Sequence, residues 1–216
     1  MSLYGLFYRL FIIVTGLIPY RALYQIGKLM GWIFYLTPNK HKRISLENLN
    51  LVFPELTSKE LNKLLRESLF HSSMNILECG MVWGSKKYIK DRQFIEVRNF
   101  DLIKNSISQN NGVLLFTPHL GNIEILINYL GSEFETTIPY TKPKNSSLDK
   151  VITKSRNDAG VKMVPANARG IRKILSGLKE KKLVAIASDQ VPKKGNGSFS
   201  KFFHKEIYSM TLLPKL

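Results

Sequence analysis

The hydrophobic pattern of the first half of the chain is helical. Two strongly apolar segments, 3–18 and 20–37, are separated by Pro19, and each is long enough for one helix. Apolar residues then recur at helical spacing over 43–53 and over 58–83, the second run opening with the capping-box sequence Thr57-Ser58-Lys59-Glu60. The pattern therefore predicts four helices before residue 84.

The second half of the chain alternates short apolar runs with amphipathic segments. The predicted strands are 94–98, 113–117, 136–140, 161–164 and 183–188, and the predicted helices between them are 101–109, 123–131, 147–158 and 171–181. This alternation is typical of an α/β fold with a mixed, largely parallel sheet flanked by helices. Right-handed crossovers place the carboxyl ends of parallel strands on one side of such a sheet.

The N-terminal helix has the features of a segment that lies on a membrane. It has 16 residues with Arg9 in its middle, whereas a spanning helix needs about 20 largely uncharged residues. It lacks a signal peptide's basic start and cleavage site. Its aromatic residues surround Arg9, and the basic cluster 39–43 follows the second helix. We predict membrane-associating helices at 1–37 and an α/β domain at 38–216. The alternatives are helices that only cover the soluble core and, less favoured, a true span.

The charge balance predicts an anionic partner. Lys and Arg number 32 against 16 Asp and Glu, a formal net charge of +16, which attracts nucleic acid, anionic lipid or an acidic protein. No nucleic-acid recognition pattern is present, so nucleic acid is not the expected partner. Cys79 is the only cysteine and excludes an internal disulfide, and no metal-ligand pattern occurs.

The candidate chemistry lies in the turn between strand 113–117 and helix 123–131. This turn contains His119, and Glu124 follows five positions later. Ligands of open α/β sheets bind at the carboxyl ends of strands. We expect Glu124 to accept one ring N–H of His119, which leaves the other ring nitrogen as a base. Gly121 allows a tight turn, and amides at the helix start are expected to bind an oxyanion. The alternative is a capping glutamate beside a hydrogen-bonded loop histidine.

Two more strand ends are predicted to meet the same crevice. Lys142 and Lys144 follow strand 136–140, and Asp189 and Gln190 follow strand 183–188. The lysines suit phosphate contacts. Solvated loop lysines and a turn-capping aspartate remain the alternatives.

Three motifs in order resemble one family. TPHLGNIE at 117–124, ENLNLVFPE at 47–55 and SDQ at 188–190 are similar to segments of the bacterial lipid A late acyltransferases, the lauroyl and myristoyl transferases. The resemblance implies a glycerolipid-acyltransferase-like fold with His119 as the base and Glu124 as the acid that orients it. It implies that substrate contacts come from Arg156, Asp189 and Gln190, besides Lys142, Gly121 and Asn122.

The implied reaction is transfer of a fatty acyl chain to a hydroxyl of a lipid A precursor. The donor is an acyl carrier protein thioester or acyl-CoA, and no resident cofactor is implied. The implied partners are an anionic glycolipid acceptor, acyl carrier protein and a membrane surface, on the cytoplasmic face of the bacterial inner membrane. Another glycolipid acceptor, or an inactive relative that only binds lipid, stays open.

The C-terminal sequence departs from the family pattern. Family members continue past the SDQ strand through an FFG segment and further strands. Here residues 201–216 read KFFHKEIYSMTLLPKL, with His204 in place of the glycine. We therefore expect the C-terminal part of the family fold to be missing from this sequence.

Overall fold

The computed structural model describes residues 3–85 and 96–216. Its helices are α1 (Leu3–Leu17), α2 (Tyr20–Leu36), α3 (Lys40–Val52), α4 (Ser58–Gly84), α5 (Phe100–Ser108), α6 (Ile123–Glu133), α7 (Ser146–Asp158) and α8 (Ala168–Lys179). Its strands are β1 (Val113–Thr117), β2 (Thr136–Tyr140), β3 (Lys162–Pro165), β4 (Leu183–Ala187), β5 (Gly197–Phe202) and β6 (Lys205–Met210), and a 3-10 turn follows at Leu213–Lys215.

Helix α4 is the support for the N-terminal helices. It begins with the predicted capping box, in which Thr57 N–H donates to the Glu60 carboxylate and Glu60 N–H donates to Thr57 Oγ1. Helices α1, α2 and α3 all pack on α4. The buried residues between them are Leu23, Met74, Leu77, Met81 and Val82. This α-helical layer reaches the rest of the molecule through Ile125 of α6, which packs against the same cluster.

The sheet has four parallel strands in the order β1-β4-β2-β3. Strand β4 is central, and its residues Leu183 to Ile186 are all buried, as expected for a parallel strand covered on both faces. One core joins the sheet to α5 and α6 through residues such as Ile103, Ile127 and Leu130. A second core lies on the other face, where Ile174 of α8 packs with Val184 and Ile186.

The predicted α/β class with a parallel sheet and flanking helices is confirmed. Strands 113–117 and 136–140 are observed at the predicted residues. Strand β3 begins and ends one residue later than predicted, and β4 ends one residue earlier. Two helices begin three residues earlier than predicted, because Asn39 and Asn167 cap them with side chains that accept backbone N–H groups. Glu96 to Arg98 form no strand, and the rest of the predicted strand 94–98 lies outside the described residues.

The outward surfaces of α1 and α2 are apolar. Within the two described ranges, no helix is both long and apolar enough to cross a bilayer. The exposed apolar side chains of α1 recur every three or four residues, and α2 has a similar row: Leu3, Leu6, Phe7, Leu10, Ile13, Val14 and Leu17, then Ile26, Leu29, Ile33 and Leu36. The two helices therefore turn one face to α4 and a hydrophobic face outward. The predicted boundary between residues 37 and 38 stays a prediction.

Close packing of α2 on α4 depends on Gly31. A Cβ at this position would lie 2.7 Å from Phe70 Cα and 2.9 Å from Phe70 N. We expect Gly31→Ala to lower the free energy of unfolding by about 1–3 kcal/mol, because backbone atoms of α4 must move. In the matched control Gly16→Ala, the Cβ meets its nearest atom at 3.4 Å. That variant should equal or slightly exceed the wild type in urea unfolding, since alanine favours helix by up to about 1 kcal/mol. Equal stability of both variants would contradict this packing.

Candidate active site

The His119 turn joins the end of β1 to the start of α6. Gly121 has φ +65°, a left-handed conformation that glycine adopts without strain, and its surroundings are open. Asn122 then caps α6, because its Oδ1 accepts the N–H groups of Glu124 at 2.9 Å and Ile125 at 3.1 Å. The turn thus leaves His119 partly exposed at the carboxyl edge of the sheet.

Asp189 is the acid that contacts His119. Residues of β1 pair with residues of β4 seventy positions later, from Val113 with Leu183 to Thr117 with Ala187. The same offset continues beyond the strands, where His119 Nδ1 lies 2.7 Å from Asp189 Oδ1. The backbone N–H of His119 also donates to Asp189 Oδ2 at 2.8 Å. Two bonds therefore fix both the main chain and the ring of the histidine.

These contacts assign a tautomer to His119. Asp189 accepts a proton carried by Nδ1, so Nε2 has a free lone pair, and the Gln190 amide nitrogen lies 3.3 Å from it. Partial burial acts to raise the pKa of Asp189, but the backbone N–H and ring of His119 outweigh it and the pKa is lowered. The charged acid therefore stabilises the fold above the unfolded-state pKa, and this contribution is lost as the pH falls through the lower folded-state pKa.

The predicted contact between Glu124 and His119 is not observed. Glu124 is 4% exposed, and both of its carboxylate oxygens have other partners. Arg156 donates from Nη2 to Oε1 at 2.5 Å and from Nε to Oε2 at 3.3 Å, and Trp83 Nε1 donates to Oε2 at 3.0 Å. The first turn of α6 directs Glu124 inward against α4 and α7, away from the exposed ring. Its predicted catalytic role is untested, but the geometry is that of a structural acid.

Arg156 is held in the same buried cluster. The residue is 8% exposed, and its guanidinium lies over the ring of Tyr140 with Cζ 5.1 Å from the centroid. Tyr140 itself donates to Asp149 at 2.9 Å, and burial together with Asp149 raises the pKa of Tyr140 to about 12. Both charges of the Arg156–Glu124 pair are thus compensated. The predicted substrate contact of Arg156 stays a prediction.

The other predicted site residues lie in two groups. Gln190 is beside His119, as the topology predicts, and Asn122 is at the helix start with its amide turned towards α4. The amides of Glu124 and Ile125 donate to Asn122 Oδ1, and the expected oxyanion site at the helix start stays a prediction. Lys142 is exposed on the loop after β2. Within residues 3–85 and 96–216, no group of three or more acidic, histidine or cysteine side chains is arranged to hold a metal ion.

Sequence reasoning missed the residues that fix Glu124 and Asn122 in place. Trp83 and Glu78 both belong to α4, more than forty positions before their partners, and no local pattern signals such contacts. Cys79 lies beside them, with Sγ 3.9 Å from Asn122 Oδ1. Burial, and secondarily the charge of Glu124, raise the pKa of the Cys79 thiol to about 12.

Comparison with known proteins decides the family. Residues 3–216 match the family described as bacterial lipid A biosynthesis acyltransferase. The chain belongs to this family. This agrees with the resemblance carried by the three sequence motifs.

Curated relatives are similar at moderate identity. The chain is 26% identical over 194 residues to a lipid A biosynthesis palmitoleoyltransferase of Escherichia coli, covering 90% of this chain and 62% of the relative. It is 27% identical over 189 residues to a lipid A biosynthesis acyltransferase of Haemophilus influenzae, covering 86% and 59%. A lipid A biosynthesis lauroyltransferase of Escherichia coli is 24% identical over 175 residues, covering 80% and 55%. The chain thus spans less than two thirds of the length of these relatives.

The two acids of the site should respond differently to substitution. We expect Glu124→Ala to lower the free energy of unfolding by about 3–5 kcal/mol, because it leaves the buried Arg156 uncompensated. Asp189→Asn should cost no more than about 1 kcal/mol, because its side chain and that of His119 are each more than a third exposed. Urea unfolding of the two variants measures the difference. A larger loss for Asp189→Asn than for Glu124→Ala would contradict the structural role of Glu124.

Proposed function

We propose that this protein is a membrane-surface O-acyltransferase that acts on a lipid A precursor, with His119 as the base and Asp189 as the acid that orients it. The observation that carries the proposal is the 2.7 Å contact of His119 Nδ1 with Asp189 Oδ1, which leaves Nε2 as acceptor at the carboxyl edge of the sheet. Membership of the lipid A acyltransferase family supports the reaction class.

The proposed reaction starts with a substrate hydroxyl at His119 Nε2. The hydroxyl replaces the Gln190 amide there, and its proton moves to Nε2 as its oxygen attacks the thioester carbonyl of the donor. The carbonyl carbon becomes tetrahedral, the carbon–sulfur bond then breaks, and His119 returns its proton to the sulfur. Asp189 stabilises the charged imidazolium between these steps. Gln190, once displaced from the ring, has N–H groups to donate to substrate oxygen.

Glu124 and Arg156 take a supporting role in this proposal. Their ion pair lies beneath the first turn of α6 and is closed off by Trp83 and Tyr140. A buried and fully paired cluster of this kind holds a short turn in one position, which a base needs in order to meet its substrate at the correct distance. For Arg156 to contact the acceptor, the Arg156–Glu124 ion pair would first have to open.

The donor and acceptor follow from the family and the charge. We propose an acyl carrier protein thioester as donor, with acyl-CoA as the alternative, and an anionic glycolipid hydroxyl as acceptor. Both the carrier and the phosphorylated acceptor are acidic, and the chain has a net charge of +16. Lys142, on the loop after β2, is at the same sheet edge as His119 and suits an acceptor phosphate.

The outward apolar rows of α1 and α2 support a membrane location. They combine large exposed side chains, including Leu3 at 81% and Leu10 at 59% exposure, with flanking basic residues. A helix with this arrangement lies in the headgroup layer with its apolar face towards the acyl chains. We place the protein at the cytoplasmic face of the inner membrane, where its acidic carrier substrate is available.

Loss of the base should abolish acyl transfer without unfolding the protein. We expect His119→Ala to lower kcat by about 10²–10⁴-fold, because the proposed acceptor of the hydroxyl proton is lost. Asp189→Asn should lower kcat and leave the KM for the donor nearly unchanged. The assay uses the full chain, a labelled acyl carrier protein thioester and a lipid A precursor in vesicles. His71→Ala, at an exposed histidine of α4, is the matched control and should retain activity.

Two results of this assay would contradict the proposal. Full transfer by His119→Ala would remove His119 from the chemistry. Vesicle binding by the wild type without any turnover would instead favour an inactive, lipid-binding relative. Transfer to a different glycolipid, identified by mass spectrometry of the product, would keep the chemistry and change the acceptor.

Membrane binding should depend on the outward face of α1. We expect Leu10→Glu to weaken cosedimentation with vesicles of anionic phospholipid by about 10-fold or more, because a charge replaces an apolar anchor. Leu51→Glu, at an apolar residue of α3 that is 47% exposed, is the control and should bind like the wild type. Binding of the wild type should also weaken as salt is raised. Unchanged binding of Leu10→Glu would exclude this face as the membrane contact.

A further inference from the structure

Glu78 lies between the start of α2 and the His119 turn and contacts both. This residue lies near the C-terminal end of α4, six residues before Gly84, and is half-buried. Its Oε1 accepts a hydrogen bond from Tyr20 Oη at 3.0 Å, and its Oε2 lies 3.4 Å from the Asn122 amide nitrogen. One carboxylate therefore receives one donor from the start of α2 and one from the His119 turn.

Asn122 is the residue through which Glu78 meets the turn. Its Oδ1 caps α6 by accepting from Glu124 and Ile125, so its amide nitrogen must point away from the helix. This amide nitrogen lies 3.4 Å from Glu78 Oε2 and 3.3 Å from the carbonyl oxygen of Asn75. An asparagine bound on both sides has one orientation, and it stands three positions after His119. The position of the turn is thereby tied to α4.

Tyr20 links α2, one of the two helices proposed to face the membrane, to the same hydrogen-bond network. It is the first residue of α2, directly after the Pro19 junction with α1. Its phenol donates to Glu78, and burial, and after it the charge of Glu78, raise the pKa of Tyr20 to about 12. The hydrogen bonds thus run from the α1–α2 junction to the cap of α6.

We propose that Glu78 is a positioning residue of the active site, which acts through Asn122 to hold the His119 turn and through Tyr20 to tie that turn to the lipid-facing helices. This inference rests on the proposed function for its catalytic consequence. Its structural part, the ordering of the α6 cap, stands on the contacts alone. The partner that it couples to the site is the membrane surface against α1 and α2.

A double-mutant cycle tests the route through Asn122. Glu78→Gln leaves an acceptor for Tyr20 but turns an N–H donor towards the Asn122 amide, and Asn122→Ser keeps a helix cap but loses that amide. Each should lower kcat about 10-fold with little change in KM, because both changes misplace the base and the amide that Asn122→Ser removes points towards α4. The double variant should also lose about 10-fold, since both changes break one link. A loss near 100-fold, or unchanged kcat in Glu78→Gln, would overturn the proposal.

Controls separate positioning from general stability. We expect the kcat of the wild type to be higher on anionic vesicles than in detergent, and Tyr20→Phe, which removes the hydroxyl that donates to Glu78, should reduce this gain. Tyr35→Phe removes another tyrosine hydrogen bond between α2 and α4, at Asn62 and away from the turn, and should change neither kcat nor that gain. Equal effects of the two phenylalanine variants would contradict the coupling. The pH profile of kcat/KM should not shift in Glu78→Gln, because His119 and Asp189 are untouched.

Amide hydrogen exchange tests the inference independently of turnover. The N–H groups of Glu124 and Ile125, protected by Asn122 in the wild type, should exchange faster in Glu78→Gln by about 10-fold and remain unchanged in Tyr35→Phe. If wild-type protein shows no acyl transfer, the proposed function fails while this arm still decides whether Glu78 orders the cap. Identical exchange in wild type and Glu78→Gln would refute the role of Glu78.

Discussion

The parallel pairing of β1 with β4 is the constraint on which the candidate site depends. A constant offset of seventy residues along the two strands carries His119 and Asp189 to the same level just beyond the sheet. The backbone hydrogen bonds of the sheet therefore bring His119 and Asp189 close together before any side chain of the site is considered. Buried side chains of β4 on both faces fix that register, because a slip by one residue would exchange the side chains that fill the two different cores.

Helix α4 supplies the second constraint. It receives α1, α2 and α3 on its surface and contacts both ends of the first turn of α6, through Trp83 at Glu124 and through Glu78 at Asn122. The buried Glu124–Arg156 pair completes this support. Removing one partner of such a pair is costly because it strands a desolvated charge. The partly exposed His119–Asp189 pair is thus supported by a buried cluster of side chains in which both charges are paired.

The parts of the fold that follow from local pattern were predictable. The helical spacing of 58–83, the capping box at Thr57 and the apolar runs of β1 and β2 are confirmed, because each is determined by neighbours in sequence. The sequence pattern predicts Glu124, five residues away, as the partner of His119, and this contact is wrong because Glu124 is buried against Arg156 and Trp83. Asp189 was placed in the same crevice, but its contact required the strand order, in which the last inner strand inserts beside the first. Trp83 and Glu78 carry no local signal because their partners lie more than forty residues away.

We infer that Asp189, and not Glu124, sets the protonation of the His119 ring. Nitrogen-15 NMR of histidine-labelled protein near neutral pH tests it directly, since protonated and bare ring nitrogens differ widely in chemical shift. We expect His119 to carry its proton on Nδ1 and to have a bare Nε2. Asp189→Asn should remove this preference, and Arg156→Lys, which changes the Glu124 cluster, should preserve it. A His119 with its proton on Nε2 in the wild type, or a tautomer insensitive to Asp189→Asn, would contradict it.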